Sequence, residues 1–260
     1  MDLGLKGKVA LVAAASAGLG YGVARAMAYE GARVSICSRK ADAVEKAVKR
    51  LTGETGAEII GTACDVTKAV DIQAWVDKTA AQWGRVDALL VNAGGPPAGV
   101  FKELADAQWQ AAFELTLMSA VHMIRAALPH MKDGGAILTV TSSSIREPIP
   151  RLGLSTVMRS GVAGLVKTLA DELAEDRIRV NNLMPGRIDT DRVRQLDENT
   201  ATKLGLSVEE VQRQTIEKIP LKRLGTIDDF GKAAAFLLSP AAAYITGASL
   251  RVDGGAMRSI

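Results

Sequence analysis

Short, mostly apolar runs recur along the whole chain, and a segment of helical periodicity follows almost every one of them. The runs are Val9–Ala14, Val34–Cys37, Glu58–Ala63, Val86–Val91, Ala136–Thr141, Ile178–Leu183 and Ser249–Val252. The helical patterns cover Leu19–Glu30, Ala41–Leu51, Lys68–Trp83, Ala107–Met131, Gly153–Ala174, Val193–Ile219 and Ile227–Leu238. A strand that is apolar along its full length needs cover on both faces, and alternating helices supply it. Right-handed crossovers leave few topologies for such a chain. The pattern predicts an α/β fold, a doubly wound parallel sheet of about seven strands, in a single domain spanning 1–260. Gly31 stops the first helix, and Thr226 to Asp229 reads as a capping box for the last one. The polar segment 191–218 is the candidate insertion and reads as a substrate lid.

Charge excludes some partners. Thirty-two basic side chains against twenty-nine acidic ones leave a net charge of +3 in 260 residues. That balance creates no broad field for nucleic acid or an acidic membrane, so function must reside in a local site that takes a small molecule. The apolar run Val9–Ala17 is too short to span a bilayer. Ala15-Ser16-Ala17 imitates a leader cleavage site, but Gly18-Leu19-Gly20 and the helix behind it make the run a buried first strand. Cys37 and Cys64 are too few to staple the chain and fit a cytoplasmic protein; no ligand spacing suggests a metal.

Gly18 and Gly20 open the turn between the first strand and the first helix. Glycine lets the backbone approach a ligand closely, and free N–H groups at a helix start favour a phosphate. The stretch Ala13-Ala14-Ala15-Ser16-Ala17-Gly18-Leu19-Gly20 resembles the TGxxxGxG turn of the short-chain dehydrogenase/reductase family. Further matches follow in order: Asp65-Val66, Asn92-Ala93-Gly94, Pro185-Gly186 with Ile188 and Thr190, Ile245-Thr246-Gly247, and Val252-Asp253-Gly254-Gly255. The resemblance implies a Rossmann fold, a nicotinamide cofactor, and a homotetramer or homodimer. It assigns Ser16, Gly18, Leu19 and Gly20 to the pyrophosphate. Asp65 and Val66 go to the adenine, Asn92, Ala93 and Gly94 to the ribose wall, and Pro185, Gly186, Ile188 and Thr190 to the nicotinamide end. Ala13 and Ala14 depart from the family's Thr and Gly. If position 14 requires a positive φ, alanine there costs on the order of 1 kcal/mol.

The second strand ends in Ile36-Cys37-Ser38-Arg39, with no carboxylate for a ribose diol. Ser38 takes the acidic position, and Arg39 offers a charge-assisted contact to a 2′-phosphate. NADP(H) is therefore favoured, with NAD(H) as the alternative.

The family's reaction normally uses a Tyr, a Lys four residues later, a Ser upstream and an Asn on the preceding helix. Aligned through Gly164-Leu165 and Leu169–Leu173, these positions fall on Ser155, Arg159, Ser142 and Thr116. The chain's tyrosines are Tyr21, Tyr29 and Tyr244, so no register restores the phenol. A serine hydroxyl is a far weaker acid than a phenol, and arginine is no proton shuttle. The resemblance thus points to a divergent 3-oxoacyl-carrier-protein reductase-like branch that lacks the Tyr/Lys pair. Such a site suits a carbonyl, or a conjugated enone that needs little protonation. The alternative is an NADP(H)-binding protein with weak or no turnover, acting as a sensor or oligomer subunit.

Arg146, Arg151 and Arg187 flank the expected substrate side and would suit an acidic substrate; ion pairs with Glu147, Asp189 or Asp191 are the competing reading. His122, His130, Trp75, Trp83 and Trp109 read as packing residues, and the segment from Met257 lies where it could reach a neighbouring subunit.

Overall fold

A computed structural model describes residues 2–259; Met1 and Ile260 lie outside the described residues. The strands are β1 (Val9–Val12), β2 (Arg33–Ser38), β3 (Ile59–Ala63), β4 (Ala88–Val91), β5 (Gly135–Val140), β6 (Ile178–Pro185) and β7 (Ser249–Val252). They form one parallel sheet in the order β3-β2-β1-β4-β5-β6-β7. The order reverses between β1 and β4, which opens a crevice at the carboxyl ends of those strands.

The helices are α1 (Gly18–Tyr29), α2 (Ala41–Thr55), α3 (Ala69–Trp83), α4 (Asp106–Phe113), α5 (Ser119–Ala127), α6 (Gly153–Glu172), α7 (Asp191–Leu204), α8 (Val208–Lys218) and α9 (Ile227–Leu238). Alternate residues of each central strand face opposite layers, and both layers are buried. Ala10 and Val12 join Met27, Ile36, Leu138 and Phe230 in the core under α1, α2 and α9. Leu11 joins Ile72, Trp75, Leu89, Met123 and Val166 under α3, α5 and α6. This two-sided burial explains why the strands read as unbroken apolar runs.

Helices α1 and α9 cross in close contact because glycine stands on each. A Cβ on Gly22 would lie 3.0 Å from the Ile227 carbonyl carbon, and one on Gly231 would lie 2.8 Å from that of Gly22. The capping box of α9 forms as the sequence predicts. Thr226 Oγ1 accepts from the Asp229 N–H at 3.1 Å, and the Asp229 carboxylate accepts from the Thr226 N–H at 2.8 Å. Hydrogen bonding from Arg223 holds the Asp229 carboxyl well below the usual range.

Two helical expectations need correction. The helix expected over Ala107–Met131 contains a π turn at Glu114–Met118 that separates α4 from α5. The stretch Asp106–His130 is long and apolar enough by composition to cross a membrane, but Ala112, Met123, Ile124 and Ala127 are packed inside the protein. The helix expected over Val193–Ile219 is two helices. Gly205 ends α7 at φ +65°, and the Ser207 hydroxyl starts α8 by accepting from the Glu210 N–H.

Candidate active site

The turn after β1 begins with a strained residue. Ala14 stands at φ +51°, in the left-handed region that favours glycine. The turn therefore stores the cost of a left-handed alanine. Gly18 follows at φ +60°. A Cβ on Gly20 would lie 2.9 Å from Ala15 Cα, so only glycine lets α1 begin against this turn. The helix has no side-chain cap and no acidic residue in its first turn. Its opening N–H groups and positive dipole end suit an anion.

Three strand ends converge on the turn. Ser16 Oγ and Ser38 Oγ share a hydrogen bond of 2.9 Å, which joins it to the end of β2. Asn92 Nδ2 donates to the Ala13 carbonyl at 3.3 Å and joins it to the end of β4. Thr190 lies across the crevice, its methyl carbon 3.6 Å from where a Gly18 Cβ would stand. Its hydroxyl accepts from the Val193 N–H as the cap of α7. Gly186 is constrained too, because a Cβ there would lie 2.6 Å from Asp253 Cα. Ile188 is buried and bridges to Gly225.

Asp65 stands beyond β3. Its Oδ1 accepts from both the N–H and the hydroxyl of Thr67, at 3.1 and 2.8 Å. The Thr67 N–H, its hydroxyl and the nearby Lys68 and Arg39 charges hold the carboxyl below its ordinary range. Oδ2 makes no hydrogen bond to another described residue, whereas Val66 is buried with Ala13, Cys37 and Cys64 beneath this edge. Arg39 is exposed, as are Gly94 and Gly95; Ala93 is half-buried. Burial pushes the Cys37 thiol well up, which fits a packing role.

On the other side of the switch point, Ser142 starts a tight turn after β5, and its Oγ accepts from the Ser144 N–H at 3.2 Å. One turn apart on α6, Ser155 Oγ accepts from Arg159 Nε at 3.2 Å. Arg159 is only 9% exposed, and no carboxylate pairs with it among the described residues. Its Nη1 donates instead to the carbonyls of Val140, at 2.7 Å, and Thr141, at 3.2 Å. Burial draws the guanidinium down to about 10, which leaves it cationic at neutral pH. The alignment's other position, Thr116, is buried on the π turn, and its hydroxyl lacks a protein partner. The buried hydroxyls of Thr141 and Ser144 lack partners as well. These orphaned donors and the uncapped helix fit a polar ligand along this edge.

The arginines divide. Arg187 forms an ion pair with Asp197, a buried carboxylate on α7, which is the kind of pairing weighed against a substrate contact, and it ties α7 to the segment after β6. Arg194 pairs with Asp189 and Asp191. Arg146 and Arg151 are exposed and carry no ion pair among the described residues. Sequence reasoning missed Asp197 and missed Glu147 as the anchor of a distant backbone segment. Neither contact leaves a local pattern. A cavity of about 460 Å³ opens at the amino ends of the strands, far from this edge, and its Lys8, Asp87 and Arg179 are already hydrogen-bonded.

A family model described as enoyl-(acyl carrier protein) reductase matches residues 13–257. Dehydrogenase/reductase SDR family member 4 of Bos taurus is 36% identical over 256 residues, 97% of this chain and 88% of that protein. The chain belongs to the short-chain dehydrogenase/reductase family. Among solved structures, L-sorbose reductase from Gluconobacter frateurii, complexed with NADPH and L-sorbose, superposes with a TM-score of 0.95 at 30% identity over 100% of both chains. A short-chain oxidoreductase from Pseudomonas aeruginosa PAO1, described as containing an atypical catalytic center, gives 0.89 at 30% identity, covering 97% of this chain and 98% of that one. The family resemblance read from the glycine turn and the later motifs is thereby confirmed, as are the Rossmann topology and membership among the oxidoreductases.

Proposed function

We propose that the chain is an NADP(H)-dependent reductase of a carbonyl or conjugated enone, with Arg159 and serine hydroxyls at the positions that the family pattern gives to Tyr and Lys. The observation that carries this reading is Arg159, a buried cation without a carboxylate, fixed by Val140, Thr141 and Ser155 at the carboxyl edge of β5. Burying an unpaired guanidinium is costly, and two backbone carbonyls offset only part of that cost. The arrangement makes sense if the charge meets electron-rich oxygen in the crevice.

In this reading, the N–H groups of Gly18, Leu19 and Gly20 hold the pyrophosphate, with Ser16 beside them. Ser38 and Arg39 face the 2′-phosphate, Asp65 and Val66 the adenine, and Asn92, Ala93 and Gly94 the ribose wall. Pro185, Gly186, Ile188 and Thr190 frame the nicotinamide end. The bound nicotinamide supplies the hydride. Ser142 donates its O–H to the substrate oxygen, and Arg159, backed by Ser155, stabilises the negative charge that develops there. Arg159 also stands to hold ribose hydroxyls. Thr116 keeps a free hydroxyl for a water that delivers the proton.

No group in this set is as strong an acid as a phenol. That favours a conjugated substrate, whose charge is delocalised before protonation, and the enoyl reductase description of the family model supports the same choice. The NADPH bound by the sorbose reductase supports the cofactor. Arg146 and Arg151, on the loop between β5 and α6 and without an ion pair among the described residues, support an acidic substrate. We read 191–218 as the lid. The chain assembles as a homodimer or homotetramer, and the exposed edge strand β7 supports that reading.

The test follows NADPH absorbance with a panel of ketones and conjugated enones, each offered as carboxylate and methyl ester. The expected result is oxidation of NADPH by a carboxylated enone. Arg159→Met should slow that reaction by roughly 10²- to 10³-fold, the usual loss for one donor to a developing oxyanion. Binding of NADPH without oxidation across the panel contradicts the proposal.

A further inference from the structure

The segment after β7 runs back along its own chain and touches three walls of the site. Asp253 packs on Gly186, close enough to forbid a side chain there. Its carboxylate accepts from the N–H groups of Gly255 and Met257, both at 2.9 Å, and fixes a turn through Gly254 and Gly255, which stand at φ +65° and +83°. At that turn the Gly254 carbonyl accepts from the Leu221 N–H at 3.2 Å, and Gly255 lies against Pro220, just past α8. The segment then reaches the serine loop. Glu147 Oε1 accepts from the backbone N–H groups of Arg258 and Ser259, at 2.7 and 2.6 Å. Arg251 Nη1 donates to the Ser259 carbonyl.

Glu147 belongs to a compact turn. The Ser142 carbonyl accepts from the Ile145 N–H, and the Ser143 carbonyl accepts from those of Arg146 and Glu147. A pull on Glu147 therefore acts on Ser142. One short segment joins this turn to Pro220 and Leu221, just past α8. The bonds to Arg258 and Ser259 hold the Glu147 carboxyl below its ordinary range, so it accepts as an anion at neutral pH.

We propose that Asp253–Ser259 is a strap that couples the segment just past α8 to the Ser142 turn, with Glu147 as the positioning residue at its end. The inference rests on the reading of Ser142 as the group that meets substrate, but the coupling itself is measurable without turnover.

The experiment compares amide hydrogen exchange in the full chain for wild type, Glu147→Ala and Glu147→Gln. In Glu147→Ala, amides 145–147, 221–222 and 258–259 should exchange roughly tenfold faster or more, the loss expected when bonds to a charged acceptor are removed. Amides in α9 should keep their rates. Glu147→Gln retains Oε1 and should retain most of the protection. NADPH affinity should be unchanged in both variants. With whichever panel substrate is oxidised, kcat should fall in Glu147→Ala and be largely restored in Glu147→Gln. Faster exchange confined to 258–259, with 145–147 and 221–222 unmoved, overturns the proposal. If no substrate is oxidised, the proposed reaction fails, and the exchange pattern still decides the coupling.

Discussion

Replacing Ala14 by glycine should make the protein more stable, against the usual cost of adding glycine. Ala14 stands at φ +51°. A left-handed conformation costs an L-residue roughly 1–2 kcal/mol, and glycine escapes that cost. Glycine also loosens the unfolded chain, which takes back about 0.4–1 kcal/mol. The balance favours Ala14→Gly by about 0.8 kcal/mol, and at roughly 2–4 °C per kcal/mol for a chain of this size the melting midpoint should rise by ~2 °C. Gly18→Ala is the mirror experiment. It also stands at a positive φ, +60°, and its Cβ would meet Thr190 only at an ordinary 3.6 Å, so the strain is conformational rather than steric. Calorimetric scans of both variants should move in opposite directions by similar amounts. A lower midpoint for Ala14→Gly, or an unchanged one for Gly18→Ala, would refute the argument that the turn stores strain.

Two further outcomes follow from the site and its supporting helix. Arg39→Ala should weaken NADPH binding by roughly 10- to 100-fold, the worth of a charge-assisted contact, while NADH binding stays nearly constant; parallel calorimetric titrations check it. Asp229→Asn removes the charged half of the α9 capping box and should cost about 1 kcal/mol at neutral pH. The folded carboxyl titrates well below its unfolded value, so its contribution is complete above the unfolded value near pH 4 and is lost as pH falls further. Urea unfolding of Asp229→Asn and wild type should therefore differ at pH 7 and converge under strong acid.

The fold was legible because both faces of the sheet are covered. Residues such as Leu11 and Val12 must both be apolar although they point in opposite directions, and that leaves an unbroken run in the sequence. The glycine turn was legible because Gly18 and Gly20 are the residues that the backbone there requires. Ala14 marks the limit of that logic: its strain follows from the sequence only if position 14 takes a positive φ, and the finished turn supplies that condition. The division of the helix expected over Val193–Ile219 is legible too, since Gly205 followed by Ser207 and Glu210 is a stop and a start signal. The π turn at Glu114–Met118 leaves no such signal. Its surroundings include α6, where a Cβ on Gly161 would stand 3.2 Å from Leu117. Pairings such as Arg187 with Asp197, and Glu147 with residues more than a hundred positions away, depend on the finished fold.

The proposed chemistry depends on the carboxyl edge between β1 and β4 holding a phosphorylated dinucleotide beside Arg159, which is buried and has no carboxylate partner among the described residues. Calorimetric titration of NADPH into the folded protein tests it most directly. One NADPH should be taken up per chain, with clearly weaker uptake in Arg159→Met. Wild-type protein that melts cooperatively yet releases no heat with NADPH or NADH, and shows no shift in its melting midpoint with either, would contradict it.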